Sequence, residues 1–172
     1  MVKIDDETAW EDNQLDFWFC GCEIKPLSMY FIDGEYRKTL SDFWNSYNRY
    51  PLKVIHTLAN ETDDLKDNEK WNYFQIDIIH SIDELAEMLN DIGWKLGEEK
   101  FFITNSTSDI KFEIIEEETL MGKEQSQYPI FDLSIGESLT DTTLHGRAFV
   151  LGTNDAALNT KEKVKELIDK VK

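Results

Sequence analysis

The stretch Trp-Asn-Tyr-Phe-Gln-Ile-Asp-Ile-Ile-His-Ser-Ile-Asp-Glu-Leu-Ala-Glu-Met-Leu-Asn-Asp-Ile-Gly-Trp-Lys-Leu, residues 71–96, joins a strand pattern to a helix pattern with almost no loop. Phe74, Ile76 and Ile78 alternate with Gln75 and Asp77, the two-residue period of a strand with one buried face. Ser81 stands where a helix N-cap belongs, and Glu84 three residues later completes a capping box. Ile82, Leu85, Ala86, Leu89 and Ile92 recur at three- and four-residue steps, so they form one apolar stripe. A stripe of this kind must be buried. The nearest apolar surface is the Phe74-Ile76-Ile78 face, and the expectation is that the helix covers it and nucleates the core.

On the N-terminal side, Leu15 to Ile24 reads as a strand that is apolar on both faces, with Leu15, Phe17 and Phe19 opposed to Trp18, Cys20, Cys22 and Ile24. Such a strand belongs in the middle of a sheet covered on both sides. Leu27 to Ile32 returns as a second strand, and Asp33-Gly34 is a turn signal. Thr39 with Asp42 marks a helix start, and Leu40, Phe43, Trp44 and Tyr47 give that helix its stripe. Pro51 stops it, because proline disfavours helix at the residue before it. Leu52 to Leu58 is read as a new helix opened by Pro51, the alternative being a strand in which Val54, His56 and Leu58 alternate. Asn60 to Lys70 is polar and reads as a long exposed loop.

On the C-terminal side, Lys100 to Thr104 and Ile110 to Glu116 read as a hairpin around residues 105–109, with Ile110, Phe112 and Ile114 toward the core. Tyr128 to Ile135 and Arg147 to Leu151 read as two more strands. Thr160 or Asn159 caps a final helix with the stripe Val164, Leu167, Ile168 and Val171. Hairpins recur without a regular strand-helix alternation, which predicts an α+β fold: one domain over residues 1–172, an antiparallel or mixed sheet with helices packed on it. Residues 1–14 read as an acidic arm, loosely ordered unless Trp10 docks.

The hydrophobic fraction of 41% and the aromatic fraction of 12% suit a folded chain, so the net charge of −17 is not a mark of disorder. Residues 1–86 contribute 18 acids and 8 bases, residues 87–172 contribute 17 acids and 10 bases, and only the last 17 residues run the other way, with five lysines against three acids. A surface this acidic repels nucleic acid and anionic membrane and speeds the capture of basic partners. Met1 to Glu11 is polar and acidic and lacks the apolar core of a signal peptide. No run approaches the roughly 20 apolar residues that span a bilayer. The expectation is a cytosolic protein with reduced thiols.

The motifs of catalysis and metal binding are sparse. Cys20-Gly21-Cys22 puts two thiols on one strand face, but zinc needs two more ligands and His56, His80 and His145 lack ligand spacing. His80, Asp83 and Glu84 meet at the strand-to-helix junction, where the carboxylates favour the positive helix end. Asp16 with Glu23-Ile24-Lys25 resembles the metal-nuclease pattern, at a spacing that a chain with 35 acids produces by chance. Gly136-Glu137-Ser138 is half of a nucleophile elbow, with Thr140 where the second glycine belongs. Ser138, Asp141 and His145 lie close in sequence, as loop residues often do. No cofactor and no catalysis are expected.

The acidic clusters are the remaining candidates: Asp5, Asp6, Glu7, Glu11, Asp12 and Asp16; Asp63, Asp64, Asp67 and Glu69; and Glu116, Glu117 and Glu118. They fall at chain ends and loops. Carboxylates at phosphate-like spacing imitate a nucleic-acid backbone and compete for a basic groove. Trp10, Trp71 and Tyr73 supply aromatic anchors beside them. The expected function is an acidic, non-catalytic binding protein that inhibits a basic, nucleic-acid-binding enzyme. The forms considered are a mobile-element anti-defence protein, a nucleic-acid mimic and an immunity protein for a nuclease toxin. The alternative is a small cytosolic enzyme or ligand-binding domain with a pocket near Cys20, Cys22 and His80.

Overall fold

The computed structural model describes residues 3–6, 28–34, 36–56, 74–92, 101–119, 122–143 and 148–170, and among these it has nine strands and three helices. In chain order they are β1 (Lys3–Asp6), β2 (Ser28–Asp33), α1 (Tyr36–Tyr47), β3 (Leu52–His56), β4 (Gln75–Ile79), α2 (Ile82–Ile92), β5 (Phe101–Thr104), β6 (Lys111–Thr119), β7 (Gly122–Ile130), β8 (Ser138–Thr143), β9 (Ala148–Thr153) and α3 (Lys161–Asp169), the last preceded by a short 3-10 turn, Ala156–Leu158. Seven strands form one antiparallel sheet in the order β1-β2-β9-β8-β5-β3-β4, and β6 pairs with β7 in a separate two-stranded hairpin. The fold is α+β, as the patterning predicts. The expected strand Leu15 to Ile24, the loop Asn60 to Lys70 and the arm 1–14 apart from β1 lie outside the described residues.

The three helices cover one face of the sheet. Leu40, Phe43, Trp44 and Tyr47 of α1, Leu85 and Leu89 of α2, and Val164 and Ile168 of α3 join Tyr30, Ile32, Leu52, Val54, Phe101, Ile103, Phe149 and Leu151 in one buried cluster. Phe43 meets Trp44 edge-on at 5.2 Å and stacks on Tyr47 at 5.6 Å. Burial of each such ring contributes on the order of 2–3 kcal/mol. The α1 helix starts a turn before Thr39 and ends at Tyr47, where Asn48 takes a left-handed φ of 48° and donates its N–H to the Trp44 carbonyl at 2.9 Å. Thr160 caps α3, its hydroxyl accepting from the Lys163 N–H.

The opposite face is covered by a second cluster, Ile55, Phe74, Phe102, Phe131, Leu133, Leu139 and Val150, onto which Phe112 at the base of the β6–β7 hairpin packs. Residues alternate between these two faces along every strand. Ala148–Thr153 is therefore buried at all six positions.

Several expectations are corrected, and Ile82 and Ile114, expected to face the core, are 44% and 70% exposed. Leu52–His56 is strand β3, not helix: it lies between β5 and β4, so Val54 and Ile55 are both buried on opposite faces and the alternation is masked. Phe101–Thr104 does not pair with the segment after it; β5 inserts between β3 and β8, and β6 pairs with β7 instead. The strand expected over 128–135 ends at Ile130, and Ser138–Thr143, a strand too polar to stand out, follows it. Finally, α2 does not cover Phe74, Ile76 and Ile78. The chain turns back immediately after β4, so Leu85 and Leu89 join Ile79 on the other face, and Ile76 and Ile78 are left 40% and 45% exposed. Among the described residues, no helix is long and apolar enough to cross a membrane.

Candidate functional site

Two regions bring polar chemistry together. The first is a buried network at one end of the sheet. The Ser138 hydroxyl lies 3.1 Å from the Tyr47 hydroxyl, to which it donates, and 2.8 Å from that of Thr153. Tyr47 in turn donates to Asp155 Oδ2 at 2.8 Å, with the Gly136 carbonyl at 3.1 Å as a second acceptor. Arg49 lies 3.8 Å from the same Asp155 oxygen, and its guanidinium carbon sits 5.6 Å from the centre of the Tyr47 ring. Burial, with Asp155 beside it, pushes the Tyr47 phenol up to about 12 despite the Ser138 bond, so its proton stays in place at neutral pH.

Glu137 closes the loops around this end. Its Oε1 accepts from the Thr107 N–H at 2.7 Å and the Thr107 hydroxyl at 3.0 Å, and its Oε2 accepts from the Ser134 N–H at 2.8 Å. Burial alone would raise its pKa, but these donors outweigh it and hold the carboxyl below the usual range. Asn105 clamps the same turn, donating to the Gly136 carbonyl and accepting from the Ser138 N–H at 2.7 Å. Gly136, at φ 85°, supplies the left-handed turn that lets Glu137 point inward.

Ser138 has no exposed surface, and Asp141 lies on the opposite sheet face because odd and even positions of β8 alternate. Thr140, on the Ser138 face, accepts from Trp44 Nε1 at 3.0 Å, which ties β8 to α1. Gly136-Glu137-Ser138 is thus part of a brace between loops, strands and α1. His145 lies outside the described residues.

The second region is the flank made by β4 and α2. Between Phe74 and Ile92 the chain holds Asp77, Asp83, Glu84, Glu87 and Asp91 and no lysine or arginine. All five carboxylates are exposed. Ser81 and Glu84 form the expected cap with one shift: the Ser81 hydroxyl accepts from the Glu84 N–H at 3.2 Å, while the Glu84 carboxylate reaches past Ser81 to accept from the His80 N–H at 2.8 Å. Asp77 lies 2.8 Å from Nε2 of the buried His56. Asp83 and Glu84 also act on Tyr50, whose phenol is raised first by burial and then by their charge. Among the described residues, no three His, Cys, Asp or Glu side chains gather as a metal site.

Searches against protein-family models, curated proteins and solved structures find no match.

Among the described residues, the β4–α2 flank and the α3 segment differ in charge. On α3, which packs against α1, Lys161, Lys163 and Lys165 are exposed beside Glu162, Glu166 and Asp169, with Lys170 just past its end, while β4 and α2 carry exposed carboxylates and no lysine or arginine. Of the acidic residues singled out from sequence, Asp5 and Asp6 lie in β1, the strand at the other edge of the sheet, roughly 29 Å from β4 at six strand spacings. Glu116, Glu117 and Glu118 lie within β6 opposite Gln125, Glu124 and Lys123, in a paired strand rather than a loop. Glu7, Glu11, Asp12, Asp16, Asp63, Asp64, Asp67 and Glu69 lie outside the described residues, as do Cys20, Cys22 and the Glu23-Ile24-Lys25 motif. Of the β4–α2 carboxylates, the sequence reading singled out Asp83 and Glu84 only as helix-end charges and missed Asp77, Glu87 and Asp91, which are spaced among apolar residues. The signal that marks them is the absence of lysine and arginine from Trp71 to Trp94.

Proposed function

We propose that the chain is an acidic binding protein that inhibits a basic, nucleic-acid-binding enzyme by occupying its cationic groove. The observation that supports this reading most is the β4–α2 flank, which exposes five carboxylates and no lysine or arginine, whereas α3 mixes lysines with acids. One-sided charge orients an approaching cationic protein, whereas evenly spread charge serves solubility alone. The target is an enzyme that handles nucleic acid, in the setting of mobile-element anti-defence or of immunity to a nuclease toxin. The residues that inhibit need no catalytic chemistry: desolvated pairs between carboxylates and Lys or Arg fix the register, and apolar anchors beside them supply affinity.

The test has two steps. The immobilised chain is exposed to host lysate at low salt, washed at rising salt, and the released proteins are identified. Each basic nucleic-acid enzyme recovered is then assayed with increasing amounts of the chain. The expected result is salt-labile capture of such an enzyme and stoichiometric loss of its activity. Recovery of nothing basic at low salt overturns the reading, as does a captured enzyme that keeps full activity.

A further inference from the structure

Ile135 is 93% exposed, more than any other large apolar residue described. A lone apolar side chain at the surface is ordinary, but the place of this one is not. It stands in a tight turn, where the Glu137 N–H donates to the Ser134 carbonyl at 3.0 Å with Ile135 and Gly136 between them. Such positions favour Gly, Pro, Asn, Asp and Ser over a stiff β-branched residue. At 93% exposure, the fold gains nothing from burying it.

The turn is also held from several directions. Glu137 Oε2 accepts from the Ser134 N–H at 2.8 Å. The Gly136 N–H donates to the Asn154 carbonyl at 3.2 Å, and the Gly136 carbonyl accepts from the Tyr47 hydroxyl at 3.1 Å and from Asn105 Nδ2 at 3.2 Å. Groups from α1 and from the segments after β5 and β9 thus fix both central residues. Leu133, just before the turn, is buried. The polar groups of the turn bond inward, and the apolar side chain is what it presents outward.

The acidic flank begins at the same end of the sheet. Ile79 pairs with Leu52, Thr104 with Lys53, and Ser138 with Thr153, so β4 ends where β8 begins. The start of α2, with Asp83 and Glu84, follows β4 directly. Between β8 and β4 lie three strand spacings, roughly 14 Å, which is well within one protein interface.

From the exposed apolar tip on this braced turn we infer that Ile135 is an anchor that enters an apolar pocket of a basic protein. The inference rests on the proposed function and names the residue that seats the chain on its target. A side chain already held in place loses little freedom on docking, so its burial converts efficiently into affinity. The partner's cationic surface meets the α2 carboxylates while its pocket takes the tip. A second copy of this chain fits poorly, because it brings another charge of −17.

Two measurements on the full chain test the inference. In the first, β-cyclodextrin, a small apolar cup, is titrated while the isoleucine methyl signals are followed by NMR. The Ile135 methyls are expected to respond at about fivefold lower concentration than those of Ile114, which is 70% exposed. An equal response overturns the anchor. In the second, the capture and inhibition assays are repeated with Ile135→Ser, Ile135→Val and Ile114→Ser. Ile135→Ser is expected to weaken inhibition about tenfold, by the same factor at low and high salt and with an unchanged thermal midpoint. Ile135→Val is expected to restore most of the potency, and Ile114→Ser to leave it intact.

An enzyme inhibited equally well by the Ile135→Ser chain overturns the anchor and leaves the acidic inhibitor standing. Capture of no basic enzyme overturns the proposed function, and the basic partner falls with it. A dimer in sedimentation that Ile135→Ser dissolves assigns the tip to a second copy, and so overturns the basic partner as well.

Discussion

The hydroxyl of Tyr47, the last residue of α1, donates to the Asp155 carboxylate at 2.8 Å, joining positions 108 residues apart. The bond ties the helix layer to the segment that leads into α3. It sits in a site dry enough to keep the phenol protonated to about 12, against an ordinary 10.0. A raised pKa stabilises the fold fully below the unfolded value, and that contribution is lost as pH rises through the folded one. Stability is therefore expected to hold to pH 10 and then fall between pH 10 and about 12, by roughly 2–3 kcal/mol. Urea unfolding followed by circular dichroism over that range checks it. Tyr47→Phe should remove this alkaline component and cost about 1–2 kcal/mol at neutral pH, because Ser138 and Asp155 each lose a partner.

Glu137 sets the acid side. Its carboxyl is held below the ordinary 4.5 by backbone and hydroxyl donors that outweigh burial. A depressed pKa gives stability that is present above the unfolded value and lost as pH falls through the folded one. Glu137→Gln should flatten the fall in stability below pH 4.5. Glu137→Ala, which also strands the Thr107 and Ser134 N–H groups, should cost about 2–3 kcal/mol at pH 7. Thermal unfolding of the three proteins at neutral and acid pH measures both effects.

The cap of α2 offers a local test. Ser81→Ala removes the acceptor of the Glu84 N–H and should lower stability by about 1 kcal/mol. Glu84→Gln keeps an acceptor for the His80 N–H but loses the charge beside the positive helix end, so its cost should be about half as large. Denaturation midpoints of the two variants, compared at low and high salt, separate the hydrogen bond from the charge effect.

Burial predicts a sharp contrast between two large side chains. Trp44 is fully buried, and its indole N–H reaches Thr140, so Trp44→Ala should cost about 3–5 kcal/mol. Ile114 is 70% exposed, and Ile114→Ser should change stability by no more than about 0.5 kcal/mol. Chemical denaturation of both variants checks the ranking.

The α1 and α3 stripes were legible because each of those helices buries one side, so the 3.6-residue period survives in Leu40-Phe43-Trp44-Tyr47 and in Val164-Ile168. The cap at Ser81 was legible because capping is local. Strand β3 was not, because an inner strand has no polar face to mark its period. Strand β8 was hidden for the opposite reason: its hydroxyls are buried only because Trp44 and the Phe101 and Ile103 carbonyls are there to bond them.

By itself the sequence determined an α+β chain, its best amphipathic helices and a large negative charge, since those depend on composition and on neighbours a few positions apart. Only the tertiary structure decided which strands pair and which face of β4 the α2 helix covers. Those outcomes rest on contacts between residues tens of positions apart, whose pairing no local period encodes. The exposed Ile76 and Ile78 show this most plainly: the same alternation that marks a strand says nothing about whether the sheet continues past it.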